Sequence, residues 1–259
     1  MLNSIKNIAF AGAGNLAWHL AHGLKKQGYT ISGVWSREPA NALALAESCE
    51  TDVCREVSAL REGADLIVIA VPDKAIENIV RSIGNFDGMV VHTAGSVSVD
   101  VFGSLFEQFG VLYPLQTFSR EIPLELDKVP FFVESSSSEG LSSIKQVALK
   151  LSRKVYETDS QQRLLLHVAA VFAGNYSNLM YIIGNELLKN CDLPPEVLHP
   201  LLSETARKAV AGDPLKMQTG PARRNDTITI EKHLKALALQ PEYAEAYRLL
   251  SQLISKKYH

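Results

Sequence analysis

Residues 8–17 of this 259-residue chain read Ile8-Ala9-Phe10-Ala11-Gly12-Ala13-Gly14-Asn15-Leu16-Ala17. The first four residues predict an apolar strand, and the other six match the pattern G-x-G-x-x-A at the start of a helix. Gly12 permits the tight turn, Gly14 lets the backbone approach a pyrophosphate, and Ala17 lets the helix pack closely on the strand. The free N–H groups at the helix N-terminus favour phosphate. We therefore expect a dinucleotide here, held by Gly12, Ala13, Gly14, Asn15 and Leu16. The alternative is a domain of the same type that binds another phosphate ligand or no nucleotide.

The end of the second strand, Thr30–Trp35, distinguishes one dinucleotide from the other. Enzymes that use NAD carry Asp or Glu at this point, ~20 residues after the glycines, to bind the ribose hydroxyls. This chain carries Ser36 and Arg37 instead. A hydroxyl and a guanidinium suit a 2′-phosphate, so the sequence predicts NADP(H) as the cofactor. The alternative for Arg37 is an ordinary solvated arginine.

Composition excludes several classes of protein. A net charge of -2 offers no excess of basic residues for nucleic acid, so no nucleic-acid partner is expected. The cysteines, Cys49, Cys54 and Cys191, show no zinc spacing and indicate reduced thiols of a cytoplasmic protein, although the first two could pair on oxidation. The longest apolar stretch, Leu164–Gly174, is too short to span a bilayer, and no membrane partner is expected.

The chain changes character near residue 157. Before that point, strand and helix patterns alternate, which predicts an α/β fold with a doubly wound parallel Rossmann-type sheet. After it, the patterns are helical, with one long helix over Gln161–Asn190 and a second over Pro195–Ala211. A third helix should follow Asp226, with Thr227 or Thr229 as its cap, and a fourth should begin near Pro241. We expect an NADP-binding domain over residues 1–157 and an all-helical domain over residues 158–259 for substrate binding and dimerisation.

Ligands of open α/β sheets bind beyond the carboxyl ends of the strands, so three strand ends are candidates for the site. Val71 and Pro72 should contact the dinucleotide, and Thr93 and Gly95 should lie near its nicotinamide. His92 and Gln116 are the predicted substrate contacts at these ends. The alternative is ordinary loop chemistry, in which these residues make turns and caps and His92 is a hydrogen-bonded core histidine.

The long helix carries polar residues on one side. At about 100° per residue, His167, Gly174, Asn178 and Asn185 fall on one line, with Asn175 about 80° away. Histidine exchanges protons near neutral pH, so His167, Asn175 and Asn178 are the candidate catalytic residues. The alternative is an interdomain histidine with polar helix contacts.

The loop Gln218–Asp226 mixes turn residues with two guanidiniums and a carboxylate. Arg224 and Asp226 could bind a carboxylate and an amine or hydroxyl of a substrate. The alternative is a helix capped by Asp226 with the arginines on the surface.

The chain resembles Rossmann-like proteins with a C-terminal domain similar to that of 6-phosphogluconate dehydrogenase, and within them a branch of NADP oxidoreductases. The resemblance rests on the turn Gly12–Ala17, the stretch Leu112–Phe118, the His167 to Asn175 helix and the loop Thr219–Asp226. Pyrroline-carboxylate reductases and deazaflavin-dependent NADP reductases belong to the same wider group. The resemblance implies a reductase or dehydrogenase with its active site between two domains, and pairing of two copies through the helical domain.

Two positions depart from the resemblance. The β-hydroxyacid dehydrogenases of this group use a Lys four residues before an Asn on the long helix, where this chain carries Val171. Valine cannot act as an acid or base, so His167, one turn earlier, is the expected substitute. Relatives also tend to have a small residue before Asp226, where this chain has Asn225, so either Arg223 or Arg224 could face the substrate.

These observations predict an NADP(H)-dependent oxidoreductase that transfers hydride to or from a small polar C=O or C=N substrate in an interdomain cleft, as a homodimer. The alternative is a protein that binds or senses NADP(H) without turnover. A metal-dependent enzyme is disfavoured because no His, Asp or Glu cluster has ligand spacing.

Overall fold

Seven strands form a single sheet in the order β2-β1-β3-β4-β5-β6-β7 in the computed structural model, which describes residues 5–259. The first four residues of the predicted N-terminal domain lie outside the described part. The strands are β1 (Asn7–Ala11), β2 (Thr30–Trp35), β3 (Leu66–Ile69), β4 (Met89–His92), β5 (Gln108–Pro114), β6 (Phe131–Ser135) and β7 (Val155–Glu157). The predicted Rossmann-type sheet is confirmed.

Two strands depart from the predicted parallel arrangement. Strands β1 to β5 run parallel to one another, whereas β6 runs antiparallel to β5, and β7, which is parallel to β6, shares the direction of β6. A parallel connection needs a crossover, usually a helix, but the segment 115–130 contains only the short 3₁₀ turn Leu126–Lys128. The chain therefore returns beside β5 in the opposite direction.

The sheet is covered on both faces, and this explains its unbroken apolar strands. Successive side chains of a strand point to opposite faces. In β1, Ile8 and Phe10 join one apolar cluster, and Ala9 and Ala11 join the other. Helices α1 (Asn15–Lys26), α2 (Pro39–Cys49) and α4 (Ser138–Leu151) contribute to the first cluster, and α3 (Asp73–Ile83) to the second.

The predicted long helix is present, but it is interrupted. It consists of α5 (Ser160–Ala170), a π-helical segment (Val171–Tyr176) and α6 (Ser177–Lys189). A π segment closes its hydrogen bonds over five residues, so the step of about 100° per residue does not apply through it. The predicted single line of His167, Gly174 and Asn178 was therefore wrong, because it assumed an uninterrupted α-helix.

The described chain divides into two compact units, and the second is Tyr176–His259. Helix α5, which the sequence prediction assigned to the helical domain, belongs to the first unit; the predicted domain boundary stays a prediction. The helices that follow α6 are α7 (His199–Ala211), α8 (Pro214–Met217), α9 (Thr227–Ala236) and α10 (Pro241–Tyr258). The predicted cap of α9 was wrong, because the Asp226 carboxylate accepts the Thr229 N–H at 3.0 Å. None of the helices within residues 5–259 has the length and apolarity required to cross a membrane.

Candidate active site

Gly12 fixes the position of the glycine turn at the edge of the sheet. Its φ of +117° lies in the region that favours glycine, and its N–H donates to the Trp35 carbonyl at 2.7 Å. A Cβ at this position would lie 2.7 Å from the Ala70 carbonyl carbon and closer still to its oxygen. Only glycine therefore lets the turn sit between the ends of β2 and β3.

Gly14 leaves open space at the start of α1. It is the N-cap of the helix in an extended conformation, no side chain caps the helix there, and its first turn contains no acidic residue. A Cβ on Gly14 would meet no atom within 4 Å. The N–H groups of the first turn have no acceptors within the helix, so they suit an anion placed over Gly14.

A cavity of about 220 Å³ opens beside this turn. Seven of the predicted cofactor contacts line it: Gly12, Ala13, Gly14, Ser36, Arg37, Val71 and Pro72. The rest of the lining, which the sequence prediction missed, is Trp35, Glu38, Asn41, Ala70, Ala75 and Ile79. The missed residues lie at or just after the ends of β2 and β3 and in the helices that follow these strands. Their proximity to the turn therefore follows from the strand order. The lining is apolar between the strand ends and polar beyond β2, which fits an adenosine whose ribose phosphate lies at Ser36 and Arg37.

Two polar side chains follow β2 at the mouth of this cavity. The Ser36 hydroxyl accepts the Glu38 N–H at 3.3 Å, which holds the turn after the strand. Arg37 Nε lies 3.6 Å from Glu38 Oε1, and both side chains are well exposed, at 79% and 64%. Ion pairs of this exposure contribute little, so Arg37 can leave Glu38 for a phosphate.

Asn15 and Leu16, the other predicted contacts in the turn, have different surroundings. The Asn15 side chain donates to the Phe118 carbonyl at 3.0 Å, which ties the loop after β5 to the first residue of α1. Leu16 packs partly buried against the core. Their backbone N–H groups remain the part that a phosphate would contact.

His167 lies directly against the loop that follows β4. A Cβ on Gly95 would be 2.7 Å from Cγ and Nδ1 of the imidazole, so the ring occupies the space a side chain would need. The Tyr113 hydroxyl, at the end of β5, lies 3.1 Å from Nδ1. The sequence prediction named Gln116 after this strand and did not pair Tyr113 with His167.

The Tyr113 hydroxyl keeps its proton at neutral pH. Burial raises the pKa of Tyr113, the Arg163 charge opposes this, and the Asp73 carboxylate adds to the rise. A protonated phenol can donate to Nδ1 or accept from Nδ1–H, so the direction of this bond depends on the tautomer of the ring. In both cases Tyr113 is bonded to Nδ1 rather than to Nε2.

Other polar groups at these strand ends hold the loops together. The Ser96 hydroxyl donates to the Asp73 carboxylate, which joins the loop after β4 to the start of α3. The hydroxyl and the N–H of Thr93 both donate to the Ile69 carbonyl, at 3.2 and 3.1 Å. Thr93 is 6% exposed, so its side chain serves the join between β3 and β4.

His92 is a core residue. It is fully buried, its ring stacks on Phe102 with centroids 5.6 Å apart, and its Nδ1 accepts the Ala94 N–H at 3.2 Å. Burial first, and the Arg163 charge second, lower the pKa of His92 to about 3, while the Ser98 backbone opposes them. A buried neutral ring cannot reach a substrate, so the structure favours the alternative of a core histidine over the predicted substrate contact.

The remaining predicted residues of the first unit lie along the loop after β5 and the π segment. Gln116 is exposed, and its Oε1 accepts the Thr117 N–H at 2.8 Å. Gly174 faces Thr117, whose Cγ2 would be 3.9 Å from a Cβ on the glycine. The loop after β5 and the π segment therefore lie next to each other. Asn175 is exposed within the π segment.

The predicted residues of the second unit are Asn178, Arg224 and Asp226. Asn178 is exposed on α6. The Asp226 carboxylate caps α9 and accepts from Thr229 N and Oγ1, and these bonds lower the pKa of Asp226. The structure therefore shows the alternative for Asp226, a helix cap.

The two arginines of the loop before α9 differ. The Arg223 guanidinium donates to the Gln218 carbonyl and lies 5.1 Å from the Tyr258 ring centroid, whereas Arg224 is exposed. Arg223 is thus committed to the unit's own structure, and Arg224 is the arginine available to a ligand. Within the described residues, no group of three or more His, Cys, Asp or Glu side chains could hold a metal ion.

Comparison with known proteins places these features among redox enzymes. Residues 7–94 match the family model described as NADP oxidoreductase, coenzyme F420-dependent, and residues 129–254 match a domain of unknown function, DUF2520. A search of curated proteins gives no match.

Solved structures match nearly the whole chain. A Bacteroides fragilis protein described as a “putative NADP oxidoreductase” is 38% identical, with a TM-score of 0.90 over 98% of this chain and 99% of that one. A reductive aminase of Aspergillus terreus, in complex with NADPH and ethyl-5-oxohexanoate, is 17% identical, with a TM-score of 0.73 over 98% of this chain and 93% of that one. A 1-pyrroline-5-carboxylate reductase of Streptococcus pyogenes is 13% identical, with a TM-score of 0.63 over 98% and 100%. The last two share the fold.

Proposed function

Because this chain belongs to the family of NADP oxidoreductases represented by the Bacteroides fragilis protein, we propose that it transfers hydride between NADP(H) and a small polar C=O or C=N substrate. The observation that carries the proposal is the contact of His167 with Gly95 and Tyr113. In this contact the His167 ring lies at the carboxyl ends of β4 and β5. In an open α/β sheet, this edge is where ligands bind.

The glycine turn and the cavity beside it hold the cofactor. The first turn of α1 binds the pyrophosphate over Gly14, and Ser36 with Arg37 binds the 2′-phosphate. When bound, NADP(H) supplies or accepts the hydride, and the protein supplies position and proton. Thr93 and Gly95, on the loop after β4, would hold its nicotinamide end.

His167 transfers the proton that accompanies the hydride. In the direction of reduction, the doubly protonated ring donates its Nε2 proton to the oxygen or nitrogen of the reacting double bond and becomes neutral, and Tyr113 holds Nδ1. In the direction of oxidation, Nε2 of the neutral ring accepts the proton and the ring becomes doubly protonated. Val171 stands where the resemblance places a lysine, so His167 is the proton-exchanging group of this helix.

Exposed polar side chains of both units are the proposed substrate contacts. Gln116, Asn175 and Asn178 offer exposed amides, and Arg224 offers an exposed guanidinium that suits a carboxylate. A substrate with one charged group and one reducible double bond matches this set.

The competing function is binding or sensing of NADP(H) without turnover. The observation that favours it is Val171, an apolar residue in the π segment at the position of the expected lysine. The two functions share the cofactor and differ in hydride transfer.

The experiment measures NADPH binding by fluorescence titration and NADPH oxidation against panels of ketoacids, ketones and imines. The enzyme function predicts oxidation with a member of the panel, and about 100-fold to 10,000-fold slower oxidation by His167→Gln with unchanged NADPH affinity. Tight binding without oxidation by the wild-type protein supports the sensor. Full turnover by His167→Gln removes His167 from the mechanism.

We also propose that two copies pair through the helical unit. Of residues 176–259, all described, the buried hydrophobic residues are Ala222 and Leu237. Large apolar side chains are exposed on α6 and α10, among them Leu179, Ile182, Leu249 and Leu253. A surface this apolar is typical of an interface between subunits. Light scattering should give twice the chain mass of 28.4 kDa, and a monomer at micromolar concentration would contradict pairing.

A further inference from the structure

Arg163 is a fully buried charge one turn before His167. Its guanidinium donates to the Glu134 carboxylate on β6, to the Val97 carbonyl, and to Ser160 Oγ at 3.3 Å. Burying a guanidinium is unfavourable unless its donors are bonded and its charge is paired. These bonds attach α5 both to the sheet and to the loop after β4.

Ser160 reinforces the same attachment. Its hydroxyl lies 2.9 and 3.0 Å from the two Glu134 oxygens, and its Oγ accepts the Val99 N–H at 3.0 Å. The first turn of α5 is thus bonded to β6 at Glu134 and to the loop at Val97 and Val99. This arrangement restricts both sliding and rotation of α5 against the loop.

The loop held in this way carries the residue that touches His167. Gly95 lies against the imidazole, two residues before Val97. Residues four apart on a helix share a face, so Arg163 and His167 both point from α5 toward this loop. The Arg163 bonds therefore fix the position of the His167 ring over Gly95.

A buried polar atom of this group argues against a purely stabilising role. Arg163 Nε has no hydrogen-bond partner among the described residues. Apolar side chains of similar volume often stabilise a protein as well as or better than a buried ion pair. An incompletely bonded buried pair is therefore better explained by the geometry it enforces.

We propose that Arg163, together with Glu134 and Ser160, is a positioning group that holds His167 in register with Gly95 and Tyr113, and so holds the ring in one tautomer. The proposal rests on the proposed function for the role of His167, but the geometry it describes exists without turnover. Its test therefore needs a readout of the His167 ring itself.

The test uses ¹⁵N-labelled histidine in the full-length protein, with the His167 signals identified by their loss in His167→Gln. Spectra are recorded at a pH above which the His167 signals no longer change, so the ring is neutral and its two nitrogens report the tautomer. The variants are Arg163→Met combined with Glu134→Gln, which leaves no unpaired buried charge, and Ser160→Ala. The control is Arg81→Met, the same substitution in the exposed pair with Glu77.

We expect wild type and Arg81→Met to show the same single His167 tautomer, and the double variant to show a mixture of tautomers. NADPH affinity should stay within about twofold, because the pair does not contact the cofactor site. With a substrate from the panel, kcat of the double variant should fall about 100-fold, as for a misplaced catalytic group, with little change in KM.

A folded double variant with the wild-type tautomer would overturn the proposal. If the double variant does not fold, Ser160→Ala decides, with a smaller shift toward the mixture expected and an unchanged tautomer contradicting the proposal. Failure of hydride transfer in the wild-type protein would remove the proposed function and leave the tautomer result readable.

Discussion

Replacing Gly14 by alanine should separate cofactor binding from stability. The residue has φ of -78° and ψ of -174°, and a Cβ there would meet no atom within 4 Å. Alanine is therefore accommodated without strain, and the free energy of unfolding should change by no more than about 0.5 kcal/mol. The methyl group, however, occupies the space through which a pyrophosphate approaches the first turn of α1.

The expected loss of affinity follows from the hydrogen bonds at stake. Backbone donors to a charged oxygen contribute about 1.5–3 kcal/mol each, so displacement from one or two of them costs about 3 kcal/mol. That corresponds to roughly 100-fold weaker binding. Fluorescence titration with NADPH measures the affinity, and urea unfolding of the same samples measures the stability. Affinity within about twofold of wild type would refute the placement of the pyrophosphate over Gly14.

Replacing Gly12 by alanine should destabilise the protein, unlike the same substitution at Gly14. Gly28→Ala is the matched control. Gly12→Ala forces a methyl group onto the Ala70 carbonyl at φ +117°, and overpacking together with backbone strain should cost about 3 kcal/mol. Gly28→Ala also has a positive φ, +89°, but open space around it, so it should cost only about 1 kcal/mol. Equal losses of unfolding free energy in the two variants would contradict the close contact of the turn with the end of β3.

Three further substitutions test the site and its surroundings. Arg37→Ala should weaken NADPH binding about tenfold and leave NADH binding unchanged in parallel titrations, because only NADPH has the 2′-phosphate. His92→Asn keeps an acceptor for the Ala94 N–H but does not titrate. In wild type the folded-state pKa of about 3 lies below the ordinary 6.5, so the unfolded state binds the proton between these values and stability falls as the pH drops through that window. The variant should lack the contribution of His92 to the pH dependence of the free energy of unfolding, up to ~1.4 kcal/mol per pH unit. Urea unfolding at a series of pH values measures it. Tyr113→Phe should give a mixture of His167 tautomers by ¹⁵N spectroscopy and lower kcat roughly threefold to tenfold, the equivalent of one neutral hydrogen bond.

Each of these substitutions has a contradicting result. Equal loss of NADPH and NADH affinity in Arg37→Ala would place the arginine away from the 2′-phosphate. A His92→Asn protein with the wild-type slope would mean that His92 titrates normally in the folded state. An unchanged tautomer in Tyr113→Phe would show that another group holds Nδ1.

The cofactor side of the site could be predicted from the sequence because its chemistry is local. The turn after β1 is specified by residues 8–17, and the residues after β2 and β3 follow from where those strands end. Their meeting around one cavity needs only the strand order of a parallel sheet, which the alternating apolar runs indicate. The direction of β6 was missed because it depends on the absence of a helix between residues 115 and 130 rather than on any residue within the strand.

The catalytic side could be predicted only in part because its contacts join distant residues. His167 stands out as a polar residue in an apolar helix, but its partner Tyr113 is 54 positions earlier. Arg163 in the first turns of a helix is typical of a solvated surface, and only tertiary packing buries it. The π segment cannot be predicted from an apolar helical pattern, because it differs from an α-helix in the carbonyl to which each N–H donates. The four-residue spacing of Arg163 and His167 was the one signal available.

The central claim is that NADP(H) bound at the glycine turn brings its nicotinamide to His167. Nuclear Overhauser contacts in the NADPH complex test it without any substrate, with contacts from the adenine to Ile79 as an internal reference. We predict contacts from the nicotinamide C4 protons to the His167 ring protons, lost in His167→Gln. Adenine contacts to Ile79 together with nicotinamide contacts that exclude His167 would contradict the account.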